Sequence, residues 1–531
     1  MDSLPEAPVP LTANRQIARA AGLVTTAFVL SNITGLIRQI LVANAFGTSA
    51  SMEAFNAANR ISETLFNLVA GGALGSAFIP TFTSLLAKEK RAEAWKLASS
   101  IFNIILIALS LLAGLAAIFA PQVVRYVIAP GFASDPAKEA LTIALTRLML
   151  PSAVLFGISG LVMGILNSHQ KFFIPALTPA MYQLGMIFGV LVLSPSLGIF
   201  GLAYGVLIGA AFHLILQLPS LFRQGAHYTA SLGLESPDVR EVARLMGPRL
   251  LGVAVVQLNF WINVRLASQQ AEGSVTAIQF AFALMLMPQA AIAQSIATAA
   301  LPTFAAQVAR DELAEMRASL AASLRGILLL SIPASIGLML LNYPIVQLIY
   351  QRGEFTAFST RLVGWALLWY AAGLVGHAMV EILSRAFYAL HDTKTPVLIG
   401  IAAMSLNAAF SYGFSALFRG LGWLPHGGLA LANSLATALE MVGLLLIMRK
   451  RLAGIDGRTI QPALLAALGS GAAMAAALLA WKATASSLPN SLLSLGGILV
   501  GMLVYGAGLW VLKTRELRTL FKAVSSRLIK N

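Results

Sequence analysis

Long apolar runs, separated by short polar, glycine or proline breaks, follow one another along almost the whole chain. An apolar run of about 20 residues is long enough for one helix to cross the roughly 30 Å hydrocarbon layer of a bilayer. The pattern therefore predicts an all-α integral membrane protein with fourteen transmembrane helices. The predicted spans are residues 17–46, 56–86, 95–120, 140–168, 174–194, 198–222, 239–268, 273–303, 316–342, 359–390, 395–418, 425–449, 460–483 and 490–512.

The predicted spans divide into two sets of six and a final pair, since a polar stretch follows the sixth span and a basic stretch follows the twelfth. We expect two six-helix lobes and a C-terminal helix pair. The predicted division is a cytoplasmic N-terminal tail at 1–16, an N-lobe at 17–223, a cytoplasmic linker at 224–238, a C-lobe at 239–450, the helix pair within 451–513, and a basic cytoplasmic tail at 514–531.

The two sets of six spans echo one another in sequence. Ile79-Pro80-Thr81-Phe82 closes the second span, and Leu301-Pro302-Thr303-Phe304 closes the eighth. Gly131 follows the amphipathic run VVRYVI, and Gly353 follows IVQLIY at the matching offset. Because six spans separate the sets, both insert in the same orientation, which predicts parallel repeats related by an axis along the membrane normal. Such repeats handle substrate at the interface of two lobes and work by alternating access.

Composition and charge support a membrane protein. Of the 531 residues, 58% are hydrophobic and 11% are charged, which excludes a soluble protein of ordinary composition. The net charge of +15 comes from Lys and Arg spread over many short loops. This spread is typical of the positive-inside rule and not of a nucleic-acid-binding surface. With the N-terminus inside, most of the 36 basic residues fall in inner loops and tails, so we predict that both termini are cytoplasmic.

Several kinds of chemistry are absent from the sequence. The chain has no cysteine, which excludes disulfides, thiolate metal sites and a cysteine nucleophile. It has no GxxxxGK[ST] motif for a nucleotide, and its 6 histidines lack metal-ligand spacing. We therefore expect no cofactor, no metal, no bound nucleotide and no enzymatic activity.

Charged side chains inside two early spans indicate a polar pathway. A charge at membrane depth costs roughly 2.5–3.5 kcal/mol on insertion scales, so such residues normally face a protein-lined or watery cavity. In the first span, Ser31, Gly35 and Arg38 share one helical face, where the small residues leave room beside the guanidinium.

The second span carries a polar stripe at helical spacing, formed by Asn56, Arg60, Glu63 and Asn67. One interpretation is an intrahelical Arg60–Glu63 ion pair that neutralises itself near the end of the span. The other is a cavity lining in which Arg60 is available to an anionic group. The sequence leaves both interpretations open.

Later spans contain further candidates. Arg265 follows Gln257 and Trp261 on one face of the seventh span, and it either lines the pathway or reaches the headgroups from the end of the span. Arg147 and Arg249 are weaker candidates for the same lining.

The tenth span aligns His377, Glu381 and Arg385. His377 and Glu381 could titrate with a driving proton, although a structural lock between helices is the simpler interpretation.

Motifs in a fixed order carry a resemblance to a known family. They are Ser31 with Gly35 and Arg38, Phe46-Gly47, Glu53-Ala54-Phe55, Ala77-Phe78-Ile79-Pro80, Ala129-Pro130-Gly131-Phe132, Ile174-Pro175-Ala176, Met246-Gly247-Pro248, Gly273-Ser274-Val275, Gly353-Glu354-Phe355-Thr356 and Lys394-Thr395-Pro396. With them, the sequence resembles the MurJ (MviN) lipid II flippases of the multidrug/oligosaccharidyl-lipid/polysaccharide exporter superfamily. The resemblance covers most of the first twelve spans, and the last two match in position and hydropathy only.

The resemblance implies movement of an undecaprenyl-pyrophosphate-linked disaccharide-pentapeptide from the inner to the outer leaflet of the bacterial cytoplasmic membrane, for peptidoglycan synthesis. It implies that arginines hold the pyrophosphate, that a wet lining holds the sugars and peptide, and that the last helix pair forms a groove for the polyprenyl tail in contact with membrane lipids. The chain departs from the family where basic or acidic residues are usual, at Asn32, Gln39, Phe66, Asn67, Gly71, Ala283 and Leu286.

Our leading hypothesis is a lipid II flippase with Arg38, Arg60 and Arg265 at the anionic headgroup, and with Ser31, Glu63 and Asn67 beside them. Alternatives are an exporter of another polyprenyl-linked oligosaccharide, a cation-coupled drug exporter, and a transport-inactive membrane scaffold.

Overall fold

The computed structural model describes residues 13–69, 73–485 and 487–514, so most of the two predicted tails lies outside it. Within these ranges the chain is helical and contains no strand. The main helices are α1 (Ala13–Phe46), α2 (Ala50–Val69), α3 (Ala73–Ala87), α4 (Arg91–Ile118), α5 (Pro136–Ser168), α6 (Phe173–Phe188), α7 (Ile199–Ile215), α8 (Pro237–Ser268), α9 (Ser274–Gln289), α10 (Ser295–Ala309), α11 (Leu313–Leu340), α12 (Asn342–Tyr350), α13 (Ala357–Ala372), α14 (Leu374–Ala389), α15 (Lys394–Gly420), α16 (His426–Arg451), α17 (Gly457–Thr484) and α18 (Asn490–Val511). Shorter helical turns lie at Ala120–Gln122, Val123–Ile128, Pro130–Ser134, Gly189–Leu193, Ser194–Leu197, Leu218–Phe222 and Ala290–Gln294.

The prediction of an all-α protein with many membrane-spanning helices is confirmed. Eleven helical stretches of the described chain are long and apolar enough to cross a membrane, and two bent pairs raise the number to thirteen. One bent pair is α8 itself, and the other is α13 with α14. The predicted second span, 56–86, contains α2 and α3, and residues 70–72 between them are not described. The number fourteen stays a prediction.

Breaks in the long helices have local causes. Pro288 lies near the end of α9, and the following turn Ala290–Gln294 is π-helical before α10 resumes. Proline lacks an N–H and its ring clashes with the carbonyl one turn earlier, so the ladder of hydrogen bonds must shift at such a point. Between α13 and α14 the axis bends by 47° at Gly373, where an added side chain would run into Ser434.

The chain forms two compact units. The first comprises residues up to Ala45, Ala54–Tyr126 and Asp135–Ala254. Its apolar core joins α3, α4, α5 and the start of α8, and it includes Phe82 and Trp95, whose ring centroids lie 5.9 Å apart. The lobe boundaries stay a prediction.

Helices α6 and α7 of this first unit approach closely through glycines. A Cβ added at Gly205 would lie 3.0 Å from the Gly185 carbonyl oxygen and 3.0 Å from the Gly189 Cα atom. Small residues allow membrane helices to pack backbone against backbone. The glycines of α6 and α7 therefore allow the two helix backbones to come into contact.

The second unit comprises Phe46–Glu53, Val127–Ser134 and the chain from Val255 onward. Its core joins α10, α11, α14, α16, α17 and α18. Phe304, of the second Pro-Thr-Phe landmark, is fully buried in this core, as Phe82 is fully buried in the core of the first unit. The repeated motif thus places an equivalent aromatic ring in each core.

Two family motifs meet inside the second unit. The Glu53 carboxylate accepts a 2.8 Å hydrogen bond from the Val275 backbone N–H, in the first turn of α9. Such a carboxylate satisfies an open donor and favours the positive end of the helix dipole. Gly47 has a φ of +54° and packs against the Glu354 carbonyl, where any side chain would overlap. These motif residues hold the fold together.

Candidate functional site

A cavity of about 410 Å³ lies inside the first unit, among α2, α5, α6 and α7. Its lining mixes amides, hydroxyls, a carboxylate and aromatic rings. The lining residues are Asn59, Ser62, Glu63, Phe66, Asn67, Ser152, Phe156, Met163, Pro179, Tyr182, Val206 and His213. The volume falls in the range of small-molecule sites, about 300–1,000 Å³.

Of the polar stripe predicted on the second span, Glu63 and Asn67 line this cavity. Arg60 Nη1 lies 2.9 Å from Glu63 Oε2, and Asn59 Nδ2 donates to Glu63 Oε1 over 2.8 Å. The Glu63 side chain is 41% exposed, whereas that of Arg60 is 17% exposed. The intrahelical ion pair of the first interpretation is present, and its carboxylate lines the cavity beside Asn67. The availability of Arg60 to an anionic group stays a prediction.

Arg38 lies on α1, against α6. Its Nη1 is 3.3 Å from the Met186 thioether sulfur, and a Cβ on Gly35 would lie 3.6 Å from the Gln183 side chain. Ser31 is half-buried two turns before Arg38 on the same helix. The predicted face of Ser31, Gly35 and Arg38 is thus directed at α6, which also carries Tyr182 of the cavity wall.

The aromatic wall of the cavity was not predicted. Phe156 of α5 is its hub, with ring centroids 5.1 Å from Phe66, 5.0 Å from Tyr182 and 5.4 Å from His213. His213 is buried, and its Nδ1 lies 2.7 Å from the Ser159 hydroxyl. A histidine within the apolar run of α7 was the one sequence signal for this wall.

Arg265 belongs to the second unit and lies in the last turn of α8. Its Nη1 donates to the Val127 carbonyl over 3.1 Å. This contact is a structural role at the end of the span, and a role in substrate binding stays a prediction. Arg147 is exposed and donates to the Ala117 carbonyl, and the side chain of Arg249 lies outside the described residues.

The tenth-span constellation divides into two contacts. Glu381 and Arg385 form an ion pair of 2.8 Å within α14. His377 instead bonds across to α16, with Nε2 3.0 Å from Asn433 Oδ1 and 3.4 Å from the Thr437 hydroxyl. Both contacts are structural, and a coupling role for His377 and Glu381 stays a prediction.

A second cavity, of about 520 Å³, lies within the second unit and is almost wholly apolar. It is lined by α9, α11, α12, α17 and α18, through Leu284, Met287, Pro288, Leu329, Leu330, Pro333, Ala334, Gly337, Leu338, Leu341, Ile345, Ile349, Met474, Gly497, Ile498, Gly501, Met502, Tyr505 and Gly506. Tyr505 turns its hydroxyl away, to the Leu329 carbonyl at 2.8 Å. The predicted C-terminal helix pair therefore supplies one side of an apolar groove.

The two cavities differ in the chemistry of their linings. Within the described residues, no group of three or more His, Cys, Asp or Glu side chains could hold a metal ion. The first cavity offers polar groups and rings, and the second offers a hydrocarbon surface.

Comparisons with known proteins agree with one another. A family model described as lipid II flippase MurJ matches residues 42–495. The chain is 30% identical to the lipid II flippase MurJ of Burkholderia cenocepacia over 428 residues, which covers 80% of this chain and 82% of that protein. It is 30% identical to the probable lipid II flippase MurJ of Vibrio cholerae over 443 residues, which covers 81% and 82% of the two chains.

Solved structures give the same result at the level of fold. A structure described as lipid II flippase MurJ in an inward closed conformation matches with a TM-score of 0.80 and 25% identity, covering 94% of this chain and 99% of that one. An inward-facing multidrug resistance MATE family transporter of the MOP superfamily matches with a TM-score of 0.67 and 15% identity, covering 82% and 99%. The second likeness shows the fold alone.

Proposed function

The chain belongs to the lipid II flippase MurJ family, and we propose that it carries lipid II from the inner to the outer leaflet of the bacterial cytoplasmic membrane by alternating access. The family match over residues 42–495 is the observation that carries the proposal. The relative in an inward closed conformation supports the alternating-access part.

The substrate has an anionic headgroup, and the proposal assigns it to the arginines of the first unit. Arg38 and Arg60 offer planar guanidinium groups, which suit the oxygens of a pyrophosphate. Ser31 stands beside Arg38 on the same helix, while Glu63 and Asn67 line the neighbouring cavity. Arg265 is third in order, since its guanidinium already holds the Val127 carbonyl.

The polyprenyl tail needs an apolar surface, and the proposal assigns it to the groove lined by α17 and α18. A cavity of about 520 Å³ holds roughly seventeen groups the size of a water molecule, at about 30 Å³ each. A methylene is of similar size, so the groove accommodates part of a polyprenyl chain. This supports the predicted role of residues 451–513.

The proposal includes the finer architecture. It takes α2 and α3 together as one span, which brings thirteen spans to fourteen, and it arranges the first twelve as two parallel six-helix lobes. Both termini are placed in the cytoplasm, following the positive-inside rule. Transport proceeds with no catalytic step, cofactor or nucleotide, and the protein acts on a lipid-linked glycan among membrane lipids.

The proposal is tested in a bacterium that depends on this chain. When its expression is switched off, lipid II exposed on the outer leaflet is measured directly by labelling from outside. We expect exposed lipid II to fall while inner-leaflet lipid II accumulates. Unchanged exposure overturns the proposal, accumulation of a different lipid-linked glycan favours the exporter, and drug sensitivity without a wall defect favours the drug exporter.

Variants distinguish a flippase from an inactive scaffold. Arg38→Ala and Arg60→Ala are expected to abolish complementation while the protein still reaches the membrane in normal amount. Arg91→Ala is the control, because Arg91 is exposed in the first turn of α4. If both variants complement as well as the control, the arginines carry no substrate and the scaffold is favoured.

A further inference from the structure

The cavity of the first unit contains a fixed carboxylate and one buried hydroxyl without a partner among the described residues. Both Glu63 oxygens are held, one by Arg60 at 2.9 Å and the other by Asn59 at 2.8 Å, so the carboxylate is fixed while its side chain remains 41% exposed. The buried hydroxyl of Ser62 lines the same cavity and has no hydrogen-bond partner among the described residues. Orphaned polar groups in a cavity call for a ligand or ordered water.

Charge disfavours an anionic group beside the Glu63 carboxylate of this cavity. Glu63 is the one charged residue in the lining, and the charge of Arg60 offsets it at 2.9 Å. A phosphate placed beside a carboxylate would meet like-charge repulsion, whereas a neutral polar group meets none. The cavity therefore suits an uncharged ligand that carries many hydrogen-bonding groups.

The remaining lining fits a ring with polar edges and apolar faces. Phe66, Phe156 and Tyr182 form a contiguous aromatic wall with centroids 5.0–5.1 Å from the central ring. Helix α2 supplies hydrogen-bonding groups to the same cavity: the Glu63 carboxylate accepts from hydroxyls, and the Asn67 amide both donates and accepts. The C–H face of a pyranose packs on aromatic rings, while its hydroxyl and acetamido groups need such polar partners.

Size is consistent with one sugar. The volume of about 410 Å³ equals roughly fourteen waters at about 30 Å³ each. That space accepts one N-acetylated pyranose with a few waters, and it is too small for a disaccharide with its peptide.

We infer that this cavity of the first unit is a sugar subsite, which takes an N-acetylated pyranose ring of the lipid-linked substrate. The inference rests on the proposed function for the identity of the lipid carrier. It adds a separation of tasks: Arg38 is the main contact of the pyrophosphate, and Arg60 is second to it because its guanidinium already pairs with Glu63 at 2.9 Å. The glycan is met by Glu63, Asn67, Ser62 and the aromatic wall.

The test compares three ligands on the full chain in nanodiscs: lipid II, lipid-linked disaccharide without the peptide, and undecaprenyl pyrophosphate without sugars. Wild-type protein is expected to bind both glycan-bearing lipids at least tenfold more tightly than undecaprenyl pyrophosphate. Asn67→Leu is expected to lower the affinity for both glycan-bearing lipids five- to tenfold and to leave the affinity for undecaprenyl pyrophosphate unchanged. Arg38→Gln, which leaves the Arg60–Glu63 ion pair intact, is expected to weaken the binding of all three.

The comparison includes one control variant and one milder test variant. Asn490→Leu makes the same chemical change at an exposed position at the start of α18, and it is expected to change none of the three affinities. Tyr182→Phe removes a single hydroxyl from the wall and provides a second, milder variant if Asn67→Leu folds poorly. Its effect is expected to be twofold to fivefold, again on the glycan-bearing lipids only.

Each outcome has one meaning. If Asn67→Leu and Tyr182→Phe weaken all three ligands equally or none of them, the sugar subsite is wrong. If their effect appears only with the peptide present, the cavity binds peptide and the inference is overturned. Equal affinity of the wild type for all three ligands also overturns it, while the proposed function fails separately, through unchanged lipid II exposure in cells.

Discussion

Replacing Gly209 by alanine should force α6 and α7 apart at the wall of the sugar subsite. A Cβ at Gly209 would lie 2.6 Å from the Tyr182 carbonyl oxygen and 2.8 Å from the Tyr182 Cδ2 atom, both on α6. Carbon atoms pack best at about 3.5–4.0 Å, so the tyrosine ring and its backbone must move away by close to 1 Å. Overpacking of this kind costs about 1–3 kcal/mol. The same displacement shifts one ring of the cavity wall.

The assay is thermal unfolding of the purified protein in nanodiscs, with lipid II affinity measured in parallel. At about 2 °C per kcal/mol, Gly209→Ala is expected to lower the melting temperature by roughly 2–6 °C. Gly413→Ala is the matched control, because Gly413 is exposed on α15 and an added Cβ would meet nothing within 4 Å. It should melt at or slightly above the wild type, since alanine favours a helix. If Gly209→Ala matches this control, the close approach of α6 and α7 does not limit stability and the reasoning fails.

Two further predictions concern single carboxylates. Glu53→Ala should lower the free energy of unfolding by about 1.5–3 kcal/mol, because it removes a charged acceptor from the buried Val275 N–H. Glu53→Gln keeps an acceptor and should lose less stability in the same melting assay. Equal melting temperatures of Glu53→Ala and wild type would contradict the capping role. Outside the spans, hydrogen bonds from the Thr395 hydroxyl and backbone, with the Arg451 guanidinium nearby, hold the pKa of Asp392 below its ordinary value. The stability that the ionised Asp392 contributes is present above the unfolded-state pKa, near 3.9, and is lost as pH falls through the folded-state pKa. The difference in melting temperature between wild type and Asp392→Asn should therefore shrink as the pH is lowered from 6. A difference that grows on acidification would refute this prediction.

The sequence could predict the helices because their lengths are set by the bilayer. Outside residues 56–86, every run of about 20 apolar residues returned a helix or a bent helix pair. Residues 56–86 contain α2 and α3, and the residues between these helices are not described, so this span stays a prediction. The same stretch carries Arg60 and Glu63, and such charged residues lower the mean hydropathy by which a span is recognised.

The site could be predicted only as far as one helix reaches. Spacing along α2 brought Arg60, Glu63 and Asn67 to one face, and the ion pair of 2.9 Å follows directly from a three-residue separation. The opposite wall comes from Phe156 on α5 and Tyr182 on α6, and no periodicity within one helix relates these residues. Their meeting depends on the approach of α6 to α7 through glycines, which is a property of tertiary packing.

The motifs that carry the family resemblance have two different physical origins. Gly47 and Glu53 contact the backbone of other segments. Gly47 is required by its positive φ and by the close approach of the Glu354 carbonyl, and Glu53 accepts a hydrogen bond at the N-terminus of α9. Arg38 and Arg60 contact side chains instead, the Met186 sulfur at 3.3 Å and the Glu63 carboxylate at 2.9 Å. We therefore predict that substitutions at Gly47 and Glu53 lower the melting temperature, whereas substitutions at Arg38 and Arg60 reduce transport more than they reduce stability.

The departures from the family become interpretable through the cavity. The resemblance leads one to expect a basic pair at the positions of Phe66 and Asn67, and both line the cavity of the first unit. Two cations beside Glu63 would give this cavity a net positive charge, whereas a phenyl ring and an amide leave it neutral once Arg60 has offset Glu63. The exchange thus replaces charge by ring stacking and neutral hydrogen bonds at this wall while Arg38 and Arg60 remain. If the sugar subsite is correct, we predict that the affinity of this chain for its lipid-linked substrate is less sensitive to salt than that of a relative with the basic pair, and equal salt dependence of the two affinities contradicts the argument.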